Sequence, residues 1–142
     1  MLDEKSEANL EIAIVCLDKQ DEVFYSVGVS RAYYSIFQAT KYFLEKRSFD
    51  YKKFKKNDPI AKNQRDYAHG SIGIALKYFL QTNGFDCQDD LRFINDITTT
   101  FNKLYNWRRQ GDYEERIIYK TILEVAVKRA KRFISGLKKF DR

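Results

Sequence analysis

The chain has 142 residues, which is enough for one domain and too few for a second core of ordinary size. Hydrophobic residues make up 44% and charged residues 32%, so a core can form and a disordered chain is excluded. One proline and six glycines are too few to punctuate a β-sandwich or barrel. We therefore expect one all-α domain over residues 1–142, an antiparallel bundle of four to five helices.

Apolar residues at helical spacing predict the first helix over about Asp3 to Lys19 and the second over about Val23 to Lys46. The second is long for a globular helix, which favours a central position. Between residues 47 and 67 the periodicity lapses, lysines dominate and Asn57-Asp58-Pro59 marks a turn. We expect an exposed, mobile loop there.

The third predicted helix spans about Ala68 to Thr82, and Asn83-Gly84 supplies a left-handed cap at its end. A fourth helix begins near Asp89 and Asp90, because acidic residues favour the positive end of a helix. Gly111 is expected to break it.

The apolar stripe of the fourth predicted helix continues into Arg108, which places this arginine on the inward side. A fifth helix is expected from near Tyr113, with its own inward stripe. That stripe is expected to hold the residues Ile118, Ile122, Val125, Arg129, Phe133, Leu137 and Phe140.

Cysteine usage and the chain's start bear on its compartment. Cys16 and Cys87 lie in apolar stretches without a CxxC neighbour or nearby His, so we expect two small buried residues, no disulfide and no metal site. The start is acidic and no run approaches twenty apolar residues, which predicts a cytoplasmic protein without membrane contact. No motif calls for a cofactor.

Charge is distributed unevenly along the chain. The net charge of +6 favours an anionic partner. The first element is acidic, whereas residues 41–65 and the last third are basic. Lys53 lies in the first basic region between Tyr51 and Phe54, whose rings could stack on bases, although such lysine-rich stretches are usually only solvated.

Residues 104–113 form the densest polar and aromatic cluster. An inward Arg108 needs a carboxylate, a neighbouring subunit or a bound phosphate, and Asp112 is the nearest carboxylate. One interpretation is a structural Arg108–Asp112 bridge; the other is a phosphate-binding arginine beside Asp112 and Tyr113, with Arg109 more exposed. His69 is likewise either a capping or packing residue or an anion contact at a helix start.

Three segments together resemble the HEPN superfamily: Ser-Arg-Ala-Tyr-Tyr-Ser-Ile-Phe at 30–37, His-Gly-Ser at 69–71, and Trp-Arg-Arg-Gln-Gly-Asp-Tyr at 107–113. They are similar to the branch with SRAYYAxF-like and LRxxADY-like motifs. The segments occur in the expected order, and the resemblance covers about Ala8 to Lys138.

The resemblance implies a homodimer, often encoded beside a minimal nucleotidyltransferase as a toxin and antitoxin pair. Many members are metal-independent endoribonucleases whose Arg and His act in a cleft at the dimer interface, where one group takes the 2′-hydroxyl proton and another stabilises phosphate charge. Here no His follows Arg108 in the motif; Asp112 and Tyr113 stand there. Tyr113 compares with the tyrosine that the nucleotidyltransferase modifies in related toxins.

The candidate catalytic residues are thus Arg108, Asp112 and Tyr113. Contacts to phosphate or nucleic acid are expected from the basic side chains of Arg109, Arg31, His69 and Lys53. Two functions stay open from the sequence: action on RNA or a nucleotide at the dimer cleft, or a non-catalytic homodimeric module that binds a nucleotide or a protein partner. A purely structural interaction module is the third alternative.

Overall fold

The computed structural model describes residues 4–57, 70–112 and 117–141, and all regular structure in them is helical. This confirms the all-α class, although the described residues form six helices where the sequence predicts four to five. In these ranges there are six helices: α1 Glu4–Leu17, α2 Glu22–Lys46, α3 Tyr51–Asn57, α4 Gly70–Thr82, α5 Gln88–Asp112 and α6 Lys120–Lys138.

Helix α2 lies at the centre of the bundle and packs against α1, α4, α5 and α6. Its start is fixed by Asp21, whose carboxylate accepts a 2.9 Å hydrogen bond from the backbone NH of Val23. Gly28 allows both α1 and α6 to approach α2 closely, because a Cβ at this position would lie 2.7 Å from Leu123 of α6 and 2.9 Å from Cys16 of α1. The predicted central position is confirmed.

Helices α2 and α5 run antiparallel. The Tyr33 and Phe101 rings meet with centroids 6.4 Å apart, and further along α5 a Cβ on Gly111 would lie 3.2 Å from Ser26. The sequence predicts that Gly111 breaks its helix, and the described part of α5 ends one residue later, at Asp112. Glycine at this position also permits the close approach to α2.

The expected loop at 47–67 is wrong for residues 51–57, which form α3. Asp50 starts this helix by accepting a 3.0 Å hydrogen bond from the backbone NH of Lys53. Phe54 then stacks against Tyr78 of α4 with ring centroids 4.8 Å apart. These contacts stabilise a helix too short to form alone. Residues 58–67 lie outside the described part of the chain.

The fifth predicted helix is wrong in its start and partly in its inward stripe. Helix α6 begins at Lys120, and Ile118 is buried ahead of it in non-helical chain. The predicted stripe extends helical spacing back through this non-helical segment. It therefore selects the wrong side of α6 at Val125, which is exposed. The inward side consists of Leu123, Ala126, Val127, Ala130, Phe133, Ile134 and Leu137.

The predicted left-handed cap at the end of α4 is confirmed, because Gly84 has a φ of +79°.

The two cysteines differ in exposure. Cys16 is buried, as predicted, and this burial raises the pKa of its thiol. Cys87 is exposed, contrary to prediction. Cys87 lies in the bend before α5, outside the apolar stripe that begins further along.

The described residues hold no group of three His, Cys, Asp or Glu side chains placed to bind a metal ion. None of their helices is long and apolar enough to span a bilayer.

Candidate functional site

Arg108 lies on the buried side of α5, as the sequence predicts, with 8% of its surface exposed. Its Nε lies 3.5 Å from Oδ2 of Asp112, one helical turn further on. The guanidinium carbon lies 5.0 Å from the ring centroid of Tyr34 and 5.6 Å from that of Tyr33, both on α2. A carboxylate and two aromatic faces therefore surround this cation.

Asp112 is the last described residue of α5. Its carboxylate pairs with the buried guanidinium of Arg108, and the Asp112 side chain remains 32% exposed. Asp112 is therefore held in place by Arg108 while part of its carboxylate still faces solvent.

Arg109, the next residue, is exposed. Its guanidinium carbon lies 5.9 Å from the ring centroid of Tyr105, one turn earlier on α5. Tyr105 in turn lies 5.8 Å from Tyr33 between ring centroids. We call Tyr33, Tyr34 and Tyr105 the tyrosine wall; it has one arginine buried beside it and one at the surface.

The other predicted contacts are distributed over the bundle. Arg31 is exposed on α2 and donates a 3.1 Å hydrogen bond from Nη1 to Oδ1 of Asn9 on α1. Lys53 is exposed on α3, which packs against α4. His69 and Tyr113 lie outside the described residues. Of the predicted site, the described structure thus brings together Arg108 and Asp112, with Arg109 beside them.

Sequence reasoning missed that Tyr33 and Tyr34 contact Arg108. In the sequence both tyrosines stand in the segment 30–37, with no expected contact to Arg108. The sequence does carry a signal for this contact: two adjacent tyrosines on one helix and an inward arginine on another. Such a combination indicates a contact because arginine commonly packs on aromatic faces. The antiparallel register that joins them is a tertiary feature.

A second concave feature, also missed, lies between α5 and α6. This groove of about 760 Å³, here called the basic groove, has Arg92 and Asp96 on α5, Arg129 and Arg132 on α6, and Lys139 directly after α6. Thr100 donates a 3.1 Å hydrogen bond from its hydroxyl to Asp96. The sequence showed these cations but not the space between the two helices.

Comparison with protein-family models, curated proteins and solved structures finds no match for this chain. A functional proposal must therefore stand on the residues around Arg108 and on their chemistry. The strongest local feature is a pair of consecutive arginines in opposite environments, one buried and one exposed.

Proposed function

We propose that this chain is a HEPN-like module that binds the phosphate of RNA or of a nucleotide at the C-terminal end of α5. Arg109 contacts the phosphate, and the Arg108–Asp112 pair holds the end of the helix in place. The observation that carries the proposal is the exposed Arg109 directly after an arginine held by Asp112 and the tyrosine wall.

The chemistry of an exposed arginine suits this role. A guanidinium can donate two parallel hydrogen bonds to a phosphate, which gives both charge and orientation. Tyr105 lies beneath Arg109 and limits the conformations that this long side chain adopts. The net charge of +6 further attracts an anionic ligand.

The HEPN assignment is supported by where its motifs meet. Tyr33 and Tyr34 belong to the segment 30–37, and Arg108 belongs to the segment 107–113. The two segments are over sixty residues apart in the chain, yet these side chains are in contact. With the assignment we also propose a homodimer whose two copies share the cleft, and a nucleotidyltransferase as the protein partner.

A metal-independent endoribonuclease at the same cleft is the second candidate, favoured by the partly exposed Asp112 carboxylate beside Arg108. Cleavage would need Asp112 to accept a proton while an arginine stabilises the phosphate charge. An aspartate is a weak proton acceptor at neutral pH, so we favour binding. RNA cleavage in the presence of EDTA that Asp112→Asn abolishes would reverse this preference.

Fluorescence anisotropy with a labelled single-stranded RNA tests the binding proposal. We expect Arg109→Ala to weaken binding by about tenfold, which corresponds to ~1.4 kcal/mol. The matched control is Lys5→Ala, which removes the same charge from an exposed site on α1. Equal losses in the two variants would show that net charge alone drives binding, and the proposed site would be wrong.

A further inference from the structure

Two surfaces outside the Arg109 site remain without a role. One is the basic groove between α5 and α6. The other is the outer side of α1, where Glu4, Glu7, Glu11 and Val15 are all exposed. Steps of three and four residues place these four side chains along one stripe, here called the acidic stripe.

The basic groove presents a stripe of its own, which runs along α6 and ends at the residue after it. Arg129, Arg132, Gly136 and Lys139 also follow steps of three and four residues, and all of them line the groove. Each stripe has three charges and one apolar or small position. At 1.5 Å per residue, both stripes are roughly 15 Å long.

The charges on both stripes are available for a partner. Within the described residues, none of the three acids and none of the three cations of these stripes forms an ion pair. The apolar parts are available too. Val15 is 55% exposed, and Ile12 beside the acidic stripe is 42% exposed.

The floor of the groove can accept such apolar side chains. Phe93 is half-buried there, and Gly136 lies directly against its ring, because a Cβ at this position would be 2.6 Å from Phe93 Cδ2. The absence of a side chain at Gly136 lets the Phe93 ring pack directly against α6, and the part of the ring that stays exposed lines the groove. An amphipathic helix laid along the groove could place an apolar residue against this exposed part and its acids against the cations.

We infer that the basic groove of one copy binds the acidic stripe of α1 from a second copy. Charge complementarity selects this occupant, since the chain itself supplies a helix with three exposed acids along one side that form no ion pair in the part of the chain that the structure describes. The cations are spread along α6 rather than converging on one point, which suits a helix better than a single phosphate. The inference does not depend on the Arg109 site.

The contact joins two different surfaces, so it is heterologous, and complementary variants can test it. A groove variant carries Arg129→Glu and Arg132→Glu, and a stripe variant carries Glu7→Lys and Glu11→Lys. In the groove variant both surfaces are acidic, and in the stripe variant both are basic, so neither variant should associate with itself. In a mixture, each surface of one variant meets a surface of opposite charge on the other.

Sedimentation velocity on the full chain at about 50 mM salt measures the outcome. We expect the wild type to self-associate, each variant alone to raise the Kd about tenfold or more, and the mixture to recover association. A control with Lys131→Glu and Lys138→Glu makes the same charge change on α6 outside the groove lining, and it should stay within about twofold of wild type.

Val15→Ser tests the apolar part, with the exposed Val125→Ser on α6 as its control; we expect only Val15→Ser to weaken self-association. Three results would overturn the inference: a wild type that stays monomeric, a control that disrupts association as strongly as the groove variant, or a mixture that fails to associate. The proposed cleft dimer uses a different surface and should persist in the groove variant, so the inference also fails if the groove variant associates to the same size and with the same Kd as the wild type.

Discussion

Two arginines of this bundle pair with carboxylates in different ways. Arg47, just after α2, donates from Nη2 to Asp141 Oδ1 at 2.9 Å and to the Phe140 carbonyl at 3.1 Å. Its guanidinium carbon also lies 3.7 Å from the Phe43 ring centroid. Arg108 instead pairs with Asp112 of its own helix at the longer distance of 3.5 Å.

The difference lies in what each pair joins. The partners of Arg47 are more than ninety residues away, so its hydrogen bonds tie the end of the chain to the central helix. The ion pair of Arg108 spans a single helical turn and closes no tertiary contact by itself. We infer that Arg47 serves the fold, whereas the Arg108–Asp112 pair serves the local arrangement next to Arg109.

The largest expected effect is therefore at Arg47. Arg47→Ala should lower the free energy of unfolding by about 3 kcal/mol, because Asp141 and the Phe140 carbonyl lose a partly buried charged donor. Urea unfolding followed by circular dichroism measures this. Arg92→Ala is the control, since the exposed Arg92 only approaches Asp89 at 3.9 Å and should cost under ~0.5 kcal/mol. RNA binding by the Arg47 variant should stay unchanged.

Arg108→Met should have a smaller effect on stability, about 1 kcal/mol, because the methionine keeps most of the apolar packing against Tyr33 and Tyr34. Binding of RNA should nevertheless fall several-fold, because the support beside Arg109 changes. Measuring unfolding and anisotropy on the same variant separates the two effects. If Arg108→Met destabilises the fold as much as Arg47→Ala, the distinction between the two arginines is wrong.

Asp112→Asn should cost least among these substitutions, ~0.5 kcal/mol or less, because the asparagine keeps an oxygen that can accept from Arg108 and the side chain is partly exposed. Under the binding proposal this variant binds RNA at least as tightly as wild type. Weaker binding in the anisotropy assay would indicate that Asp112 itself contacts the ligand.

A thiol-labelling experiment contrasts the tight α1–α2 contact with the chain before α5. Cys87 is exposed and should react readily with a thiol reagent at pH 8, whereas Cys16 is buried and its raised pKa leaves less thiolate at that pH. Mass spectrometry of the folded protein should find the label on Cys87 first. Equal labelling rates would contradict the close packing at Gly28.

Much of the fold could be predicted from periodicity because α1, α2, α4 and α5 each carry a continuous inward stripe. Helix α3 could not, since seven residues form a helix here only with the help of Phe54 on Tyr78, a tertiary contact. The inward face of α6 was predicted incorrectly because Ile118, in non-helical chain, lies four residues before Ile122, which is the spacing of a continuous helix.

Some contacts of the candidate site could likewise be predicted from local spacing, and others depend on how the helices pack. The pairing of Arg108 with Asp112 follows from a spacing of four residues on one helix, which the sequence displays. The contacts of Arg108 with Tyr33 and Tyr34 depend on how α5 crosses α2, and the basic groove depends on the gap between α5 and α6. Neither the register of α5 against α2 nor the gap between α5 and α6 can be predicted from a local sequence pattern.

The salt dependence of RNA binding tests the central claim most directly. Each phosphate contact to a single strand contributes about −0.7 to the slope of log K against log salt. If Arg109 contacts a phosphate, Arg109→Ala makes that slope shallower by about 0.7 per chain, while Lys5→Ala leaves it unchanged. An unchanged slope in Arg109→Ala would contradict a phosphate contact at the end of α5.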